Sequence, residues 1–296
     1  MAELHRFVSR LSSPTPGPTL LVVGGVHGNE PAGLVAARTV AAELGDFAGD
    51  FVALAGNLRA LAVGSRYLAR DLNRQWSPAK LVALDEGRVP EDPEGMEQRE
   101  LRAAIDEVLG AARGPVYFLD LHTTSAGGVP FGLSVDTADQ RAFAAHFPLP
   151  VILGLEDQVE GVLSQYLRGR GATTLSVEGG QHADPISERN LAAVIRIALG
   201  ASGMARLPAL ESSRAELDAA RGDLPATIEI LFRHPVTPEQ GFRMEPGFAN
   251  IHPARAGQLL ARDRSGEIRA PQDGVVLLPL YQPQGDDGFF FGRARN

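Results

Sequence analysis

Four side chains in this sequence combine a type and a setting that suit chemistry: His27, Glu30, His122 and Glu178. Each follows a short apolar run: Leu20-Leu21-Val22-Val23 before Gly24-Gly25-Val26-His27-Gly28-Asn29-Glu30, Val116-Tyr117-Phe118-Leu119-Asp120-Leu121 before His122, and Thr174-Leu175-Ser176-Val177 before Glu178. Such runs read as buried strands of a parallel sheet, and open α/β sheets bind ligands at their carboxyl edge. Two imidazoles and one carboxylate make a zinc-binding set with a fourth position left for water, while Glu178 remains free to move protons. Gly24 and Gly25 let the chain leave the strand sharply, the step from His27 to Glu30 lets both side chains converge on one ion, and Pro31 suits the first turn of a helix. Taken singly, each residue has a plainer reading. His27 fits a hydrogen-bonded turn, Glu30 a helix N-terminus, His122 a satisfied strand-end histidine and Glu178 a solvated charge. The second strand-end histidine is what favours the metal.

Strand alternation places Asp120 on the same side as His122, where its carboxylate would orient an imidazole. In Arg66-Tyr67-Leu68-Ala69-Arg70-Asp71-Leu72-Asn73-Arg74, arginines and an asparagine in an irregular stretch can grip a carboxylate bidentately and stabilise an oxyanion, although arginine clusters are also commonly solvated surface. His182 lies near Glu178, whereas His5, His146, His234 and His252 fall outside ligand-like spacing.

These residues need a sheet to position them. Between about residues 19 and 200, helical periodicity over Glu30–Leu44, Met96–Leu109 and Asn190–Leu199 alternates with apolar runs that include Phe51–Gly56 and Val151–Gly154. This implies βαβ units and an α/β fold whose mainly parallel central sheet is flanked by helices. The acidic, proline-punctuated Asp85–Pro93 reads as a surface loop. After about residue 204 the texture changes. Thr227–Phe232, Gly257–Leu260, Gly274–Leu278 and Gly288–Phe291 are short strands split by turns, as in a small all-β module. We therefore expect a catalytic domain over residues 1–204 and a C-terminal β domain over 205–296, with the boundary within Ala201–Glu216.

Composition narrows the function. The chain has 296 residues, 44% of them hydrophobic and 22% charged, as expected of a soluble globular protein with a sizeable core. A net charge of −8 without a compact Lys/Arg block argues against nucleic acid or an anionic membrane as partner. With no cysteine, any metal must be held by histidines and carboxylates. Met1–Arg6 lacks the regions of a signal peptide and no run approaches the length of a membrane span, so the expected location is cytoplasmic.

Together the motifs Gly25-Val26-His27-Gly28-Asn29-Glu30, Arg66, Asp71-Leu72-Asn73-Arg74, Asp120-Leu121-His122 and Val177-Glu178-Gly179 resemble the succinylglutamate desuccinylase and aspartoacylase family, a branch of the zinc carboxypeptidase-like hydrolases. The likeness extends to Gly257-Gln258-Leu259-Leu260 and Ala270-Pro271-Gln272-Asp273-Gly274. It implies one zinc per chain on His27, Glu30 and His122, with Arg66 as oxyanion donor and Asn73 with Arg74 as the clamp for a substrate carboxylate. Glu178 would be the base for attack of a zinc-activated water and then the acid for the leaving nitrogen. Arg168 resembles a further anion contact, with Arg170 competing for that role. The implied reaction is cleavage of the amide of a small anionic N-acyl amino acid. A zinc carboxypeptidase acting on peptides and a non-catalytic metal-dependent binding protein are the alternatives. Two stretches depart from the family pattern. Leu58 stands where many members have proline, and Gln284-Gly285-Asp286-Asp287-Gly288-Phe289-Phe290-Phe291 replaces the stretch in which aspartoacylases place a tyrosine near the substrate, so N-acetylaspartate is not secured as substrate. Asp286-Asp287 reads as a turn, and the three phenylalanines as core residues or the lining of an acyl pocket.

Overall fold

The structure is a computed structural model that describes residues 4–295; Met1–Glu3 of the N-terminal hexapeptide discussed above, and Asn296, lie outside it. The first half of the chain comprises β1 (Phe7–Ser12), β2 (Thr19–Gly24), α1 (Ala32–Glu43), β3 (Asp50–Ala55), α2 (Leu58–Val63), α3 (Pro78–Asp85), α4 (Pro93–Ala111) and β4 (Val116–Thr124). Then follow β5 (Phe131–Ser134), α5 (Ala138–Ala144), β6 (Val151–Leu153), α6 (Leu163–Gly169), β7 (Thr173–Gln181), α7 (Pro185–Ala201) and α8 (Leu210–Arg221). The rest is β: β8 (Thr227–Pro235), β9 (Arg243–Met244), β10 (His252–Ala254), β11 (Leu259–Asp263), β12 (Gly266–Arg269), β13 (Gly274–Leu277) and β14 (Asp287–Ala294). The expected helices are all present with longer or shifted ends, and Asp85–Pro93 links α3 to α4.

Eleven strands form one sheet in the order β1-β3-β2-β4-β7-β5-β6-β8-β14-β13-β10, and β12-β11-β9 form a second, smaller one. The β3-β2-β4-β7 centre is parallel. Its strands are apolar on both faces because helices cover both. Leu20, Val22, Leu119, Leu121, Leu175 and Val177 pack with α1 and α7, while Leu21, Val23, Val52, Leu54 and Phe118 pack with α4 and α6. In α4, Leu101, Ile105 and Val108 recur at helical spacing and are buried, each contributing roughly 1.5–3 kcal/mol. No helix among the described residues is long and apolar enough to cross a membrane.

The C-terminal strands join this sheet. β8 pairs in parallel with β6, and β14, β13 and β10 continue from it antiparallel, so one sheet runs through residues on both sides of position 204. The helix α8 was not expected; only Ser213 and Leu217 on it are buried, too narrow a stripe to stand out in sequence. Strand β1 was also missed, because as an antiparallel edge strand it is only half buried.

Candidate active site

β3 leaves β2 on one side and β4 pairs on the other. At such a switch point an open sheet leaves a crevice beyond its carboxyl ends. His27 and Glu30 follow β2 into that crevice. Gly25 there has φ +65°, a conformation that favours glycine, and a Cβ on Gly28 would fall 2.1 Å from the Ala60 carbonyl carbon. The turn closes with Glu30 N–H donating to the His27 carbonyl (3.1 Å), which aims both side chains the same way, and Pro31 is the N-cap of α1. His122 sits in β4 and pairs in register with Glu178 of β7. Neither of these ends its strand: β4 continues to Thr124 and β7 to Gln181, with a bulge at Gly179-Gly180.

His27, Glu30 and His122 are buried and present ligand atoms within 4.8 Å of one another, a group able to hold a metal ion. Glu30 lies 2.9 Å from His27 Nδ1 through Oε1 and 3.1 Å from His122 Nδ1 through Oε2. The far nitrogens meet other carboxylates: His27 Nε2 lies 3.1 Å from Asp71 Oδ1, and His122 Nε2 lies 3.0 Å from Asp120 Oδ1. A protonated Nε2 facing a carboxylate leaves the Nδ1 lone pair for a cation, which is how carboxylates orient metal-binding imidazoles. Asp120 thus stands where strand alternation put it. The role of Asp71 was missed, although it sits inside the quoted arginine motif. It also caps the short turn Leu72–Arg74 by accepting from the Asn73 N–H (2.8 Å).

Electrostatics follow from this packing. Burial tends to raise the Glu30 carboxyl, yet His27 and His122 outweigh it and hold Glu30 well below the usual carboxylate range. Burial likewise opposes charge on His122, but Asp120 and Glu30 raise that imidazole well above its ordinary value. Glu178 goes the other way. Only 9% exposed, with Oε2 unpartnered, it is pushed up to about 8 by burial, with Glu30 adding to the effect and His122 and Arg66 opposing it.

The arginine loop docks by its backbone. The Gly28 N–H donates to the Arg66 carbonyl (3.1 Å), and the buried Glu94 of α4 accepts from the Leu68 and Ala69 N–H groups (2.7 and 2.8 Å). Arg66 then donates to Glu30 (3.2 Å) and Asp71 (3.1 Å), leaving its buried Nε without a partner. Asn73 Oδ1 accepts from the Leu163 N–H (2.8 Å), which turns its Nδ2 towards His122 Nε2 (3.5 Å). Arg74 donates to Asp287 (2.7 Å) and to the Asn73 carbonyl (3.0 Å), and its Nε is also buried and unpartnered.

These residues line a cavity of about 900 Å³, counted to its open mouth. The C-terminal segment closes one side through Leu278, Pro279, Leu280, Gln282, Gly285, Asp287 and Phe290. Asp287 is the first residue of β14, where Arg74 and Arg233 both hold it, and only Asp286 remains in the turn. Phe290 faces the cavity, whereas Phe289 and Phe291 alternate into the core against the small sheet. Arg168 is not brought to the cavity. It ends α6 and pairs with Glu156, which does line it, and Arg170 pairs with Asp106. His182 acts at one remove: Thr123 Oγ1 lies 2.8 Å from its Nδ1 and the cavity residue Gln282 lies 3.1 Å from its Nε2.

Residues 16–201 match the succinylglutamate desuccinylase/aspartoacylase catalytic domain. No curated protein matches the sequence. In fold the chain is similar to the product-bound ectoine utilization protein EutE from Ruegeria pomeroyi, with a TM-score of 0.69 at 22% identity over 96% of this chain and 88% of that one. It is similar to a succinylglutamate desuccinylase from a Silicibacter species, with a TM-score of 0.68 at 19% identity over 97% and 88% of the two chains. Murine aminoacylase 3 gives a TM-score of 0.61 at 22% identity over 95% and 96%. At these identities the likenesses establish a shared fold.

Proposed function

We infer that, since the chain belongs to the succinylglutamate desuccinylase/aspartoacylase family of hydrolases, it is a zinc-dependent amidohydrolase that releases the acyl group from a small N-acyl amino acid. One observation carries this reading: His27, Glu30 and His122 converge beside a buried carboxylate, Glu178, whose Oε2 has no partner. The donor set suits zinc, since two Nδ1 atoms and a carboxylate face one point and carboxylates stand behind both imidazoles. A bound zinc supplies Lewis acidity, polarising the amide carbonyl and easing loss of a proton from water.

The protein's own groups do the rest. Glu178 accepts the proton of the attacking water and returns it to the leaving nitrogen. Burial raises its pKa and a bound cation would oppose that rise, a balance that lets one carboxyl both take and give a proton. Arg66, pinned by Glu30 and Asp71, offers its free Nε to the developing oxyanion. Asn73 Nδ2 and Arg74 hold the substrate's carboxylate.

Cover from residues 278–290 over the cavity favours a small substrate over a peptide. We accordingly assign the reacting groups to residues 1–204 and the covering role to 205–296. A non-catalytic binding protein would have no use for a buried, unpartnered Glu178, which supports an enzyme. Metal analysis of the purified protein, followed by a screen of N-acyl amino acids against short peptides, tests the proposal. One zinc per chain with turnover of N-acyl amino acids is expected. Turnover of peptides alone, or no zinc-dependent hydrolysis at all, overturns it.

A further inference from the structure

The half of the cavity away from the metal ligands is apolar, and strand register explains why. Across the sheet, Asp120, Ser176 and Leu133 are successive partners on β4, β7 and β5, as are His122, Glu178 and Phe131. Cross-strand partners share a face, so the surface that presents His122 and Glu178 passes directly into one presenting Leu133. Two strand spacings separate β4 from β5, roughly 9–10 Å. Leu155, Val159 and Val162 from the 154–162 segment, with Leu278 just after β13 and Phe290 of β14, complete this wall and belong to the same apolar cluster.

Charge recognition is limited to one place. Among the described residues lining the cavity, Arg66 and Arg74 are the only permanent cations. Arg66 is held by Glu30 and Asp71 with its Nε given to the oxyanion, whereas Arg74, although paired with Asp287, keeps a buried, unpartnered Nε for a carboxylate. A second substrate carboxylate would find Glu156 and Asp287 in the lining, and the cations beside these, Arg168 and Arg233, already pair with them. The clamp also abuts the wall: Asn73 Oδ1 accepts from the N–H of Leu163, the residue after Val162, and a Cβ on Gly161 would sit 2.7 Å from the Arg74 backbone carbonyl oxygen. The carboxylate and side chain of an amino acid leave the same carbon, so a carboxylate on Arg74 puts the side chain against this wall. Leu278 adds an independent sign. Its φ is +50°, where leucine is strained, and its N–H is held by Asn250 Oδ1 (2.8 Å) while its side chain faces the cavity.

We propose that this cavity selects N-acyl amino acids with a single carboxylate and an uncharged apolar side chain, seated on Leu133, Leu155, Val159, Val162, Leu278 and Phe290. This deepens the hydrolase reading and rests on it. With the zinc-loaded full chain, kcat/KM for N-acetyl-L-phenylalanine and N-acetyl-L-leucine should exceed that for N-acetyl-L-aspartate by about tenfold or more. Leu278→Gly, which relieves the backbone while removing the side chain, should cut that preference to a few-fold. Equal or better turnover of the aspartate derivative overturns the proposal, as does an unaltered preference in Leu278→Gly. Calorimetry on Glu178→Gln separates this from the reaction itself. Tighter binding of the phenylalanine than the aspartate derivative, with a negative heat-capacity change, upholds the selectivity even if the unaltered protein hydrolyses neither, a result that would sink only the hydrolase reading. Equal binding of the two, or none, overturns the selectivity.

Discussion

The two halves of the cavity are built by the same strands in opposite ways. At the β2, β4 and β7 end every imidazole is held by a carboxylate, and Glu178 Oε2 is left without a partner. At the β5 and β14 end, Leu133, Leu155, Val159, Val162, Leu278 and Phe290 instead form a wall of aliphatic and aromatic side chains. The polar half is over-determined, since moving one group leaves a buried charge without its partner. The apolar half has only shape, which tolerates exchange of one hydrophobic residue for another. Chemistry and selectivity can therefore change independently in this molecule.

The largest test of that separation is Glu178→Gln. The amide keeps the shape but cannot take a proton from water, so turnover of every substrate should fall by at least about a hundredfold while zinc content is unchanged. Near-normal turnover with zinc in place would put the base elsewhere. Next come the carboxylates behind the imidazoles. Asp71→Asn and Asp120→Asn should weaken zinc binding by about 10- to 100-fold in competition with a chelator. Unchanged affinity in both variants would mean that these carboxylates do not orient the ligands.

Arg74→Lys should do less. Losing one charge-assisted hydrogen bond, about 1.5 kcal/mol, raises KM for the N-acyl amino acid roughly tenfold, and the methyl ester should be a poor substrate of the unaltered enzyme. Equal hydrolysis of acid and ester would remove the carboxylate clamp. The smallest expected effect lies in the apolar half. Ile152→Val, beneath the wall, should cost about 0.5–1.5 kcal/mol in chemical denaturation and leave zinc affinity untouched. A loss of zinc with that substitution would show the two halves to be coupled.

What the amino-acid sequence determined alone is the centre of the polar half, without Asp71. His27 and Glu30 lie within one turn, Asp120 and His122 are two residues apart on one strand, and each follows an apolar run whose periodicity marks it as buried. Those signals are local, so propensity and alternation suffice to read them. Where motifs sit on successive strands of a parallel sheet, the carboxyl edge collects them, and convergence of Glu178 with the others follows from the fold class.

Tertiary structure decided the rest. No local pattern says that Asp287 grips Arg74, that Gln282 reaches His182, or that Arg168, itself outside the cavity, pairs with the lining residue Glu156. Phe289, Phe290 and Phe291 read alike in sequence, and only the register of β14 against β8 and β13 sends the middle one to the cavity. The joining of β8 to β6, which makes the C-terminal strands part of the central sheet, is likewise a long-range choice. A strand carries the period of its own faces but not the identity of its neighbour. Pairing between segments far apart in the chain is selected by the packing of the whole sheet, and the apolar wall, made wholly of such pairings, exists only once the chain has folded.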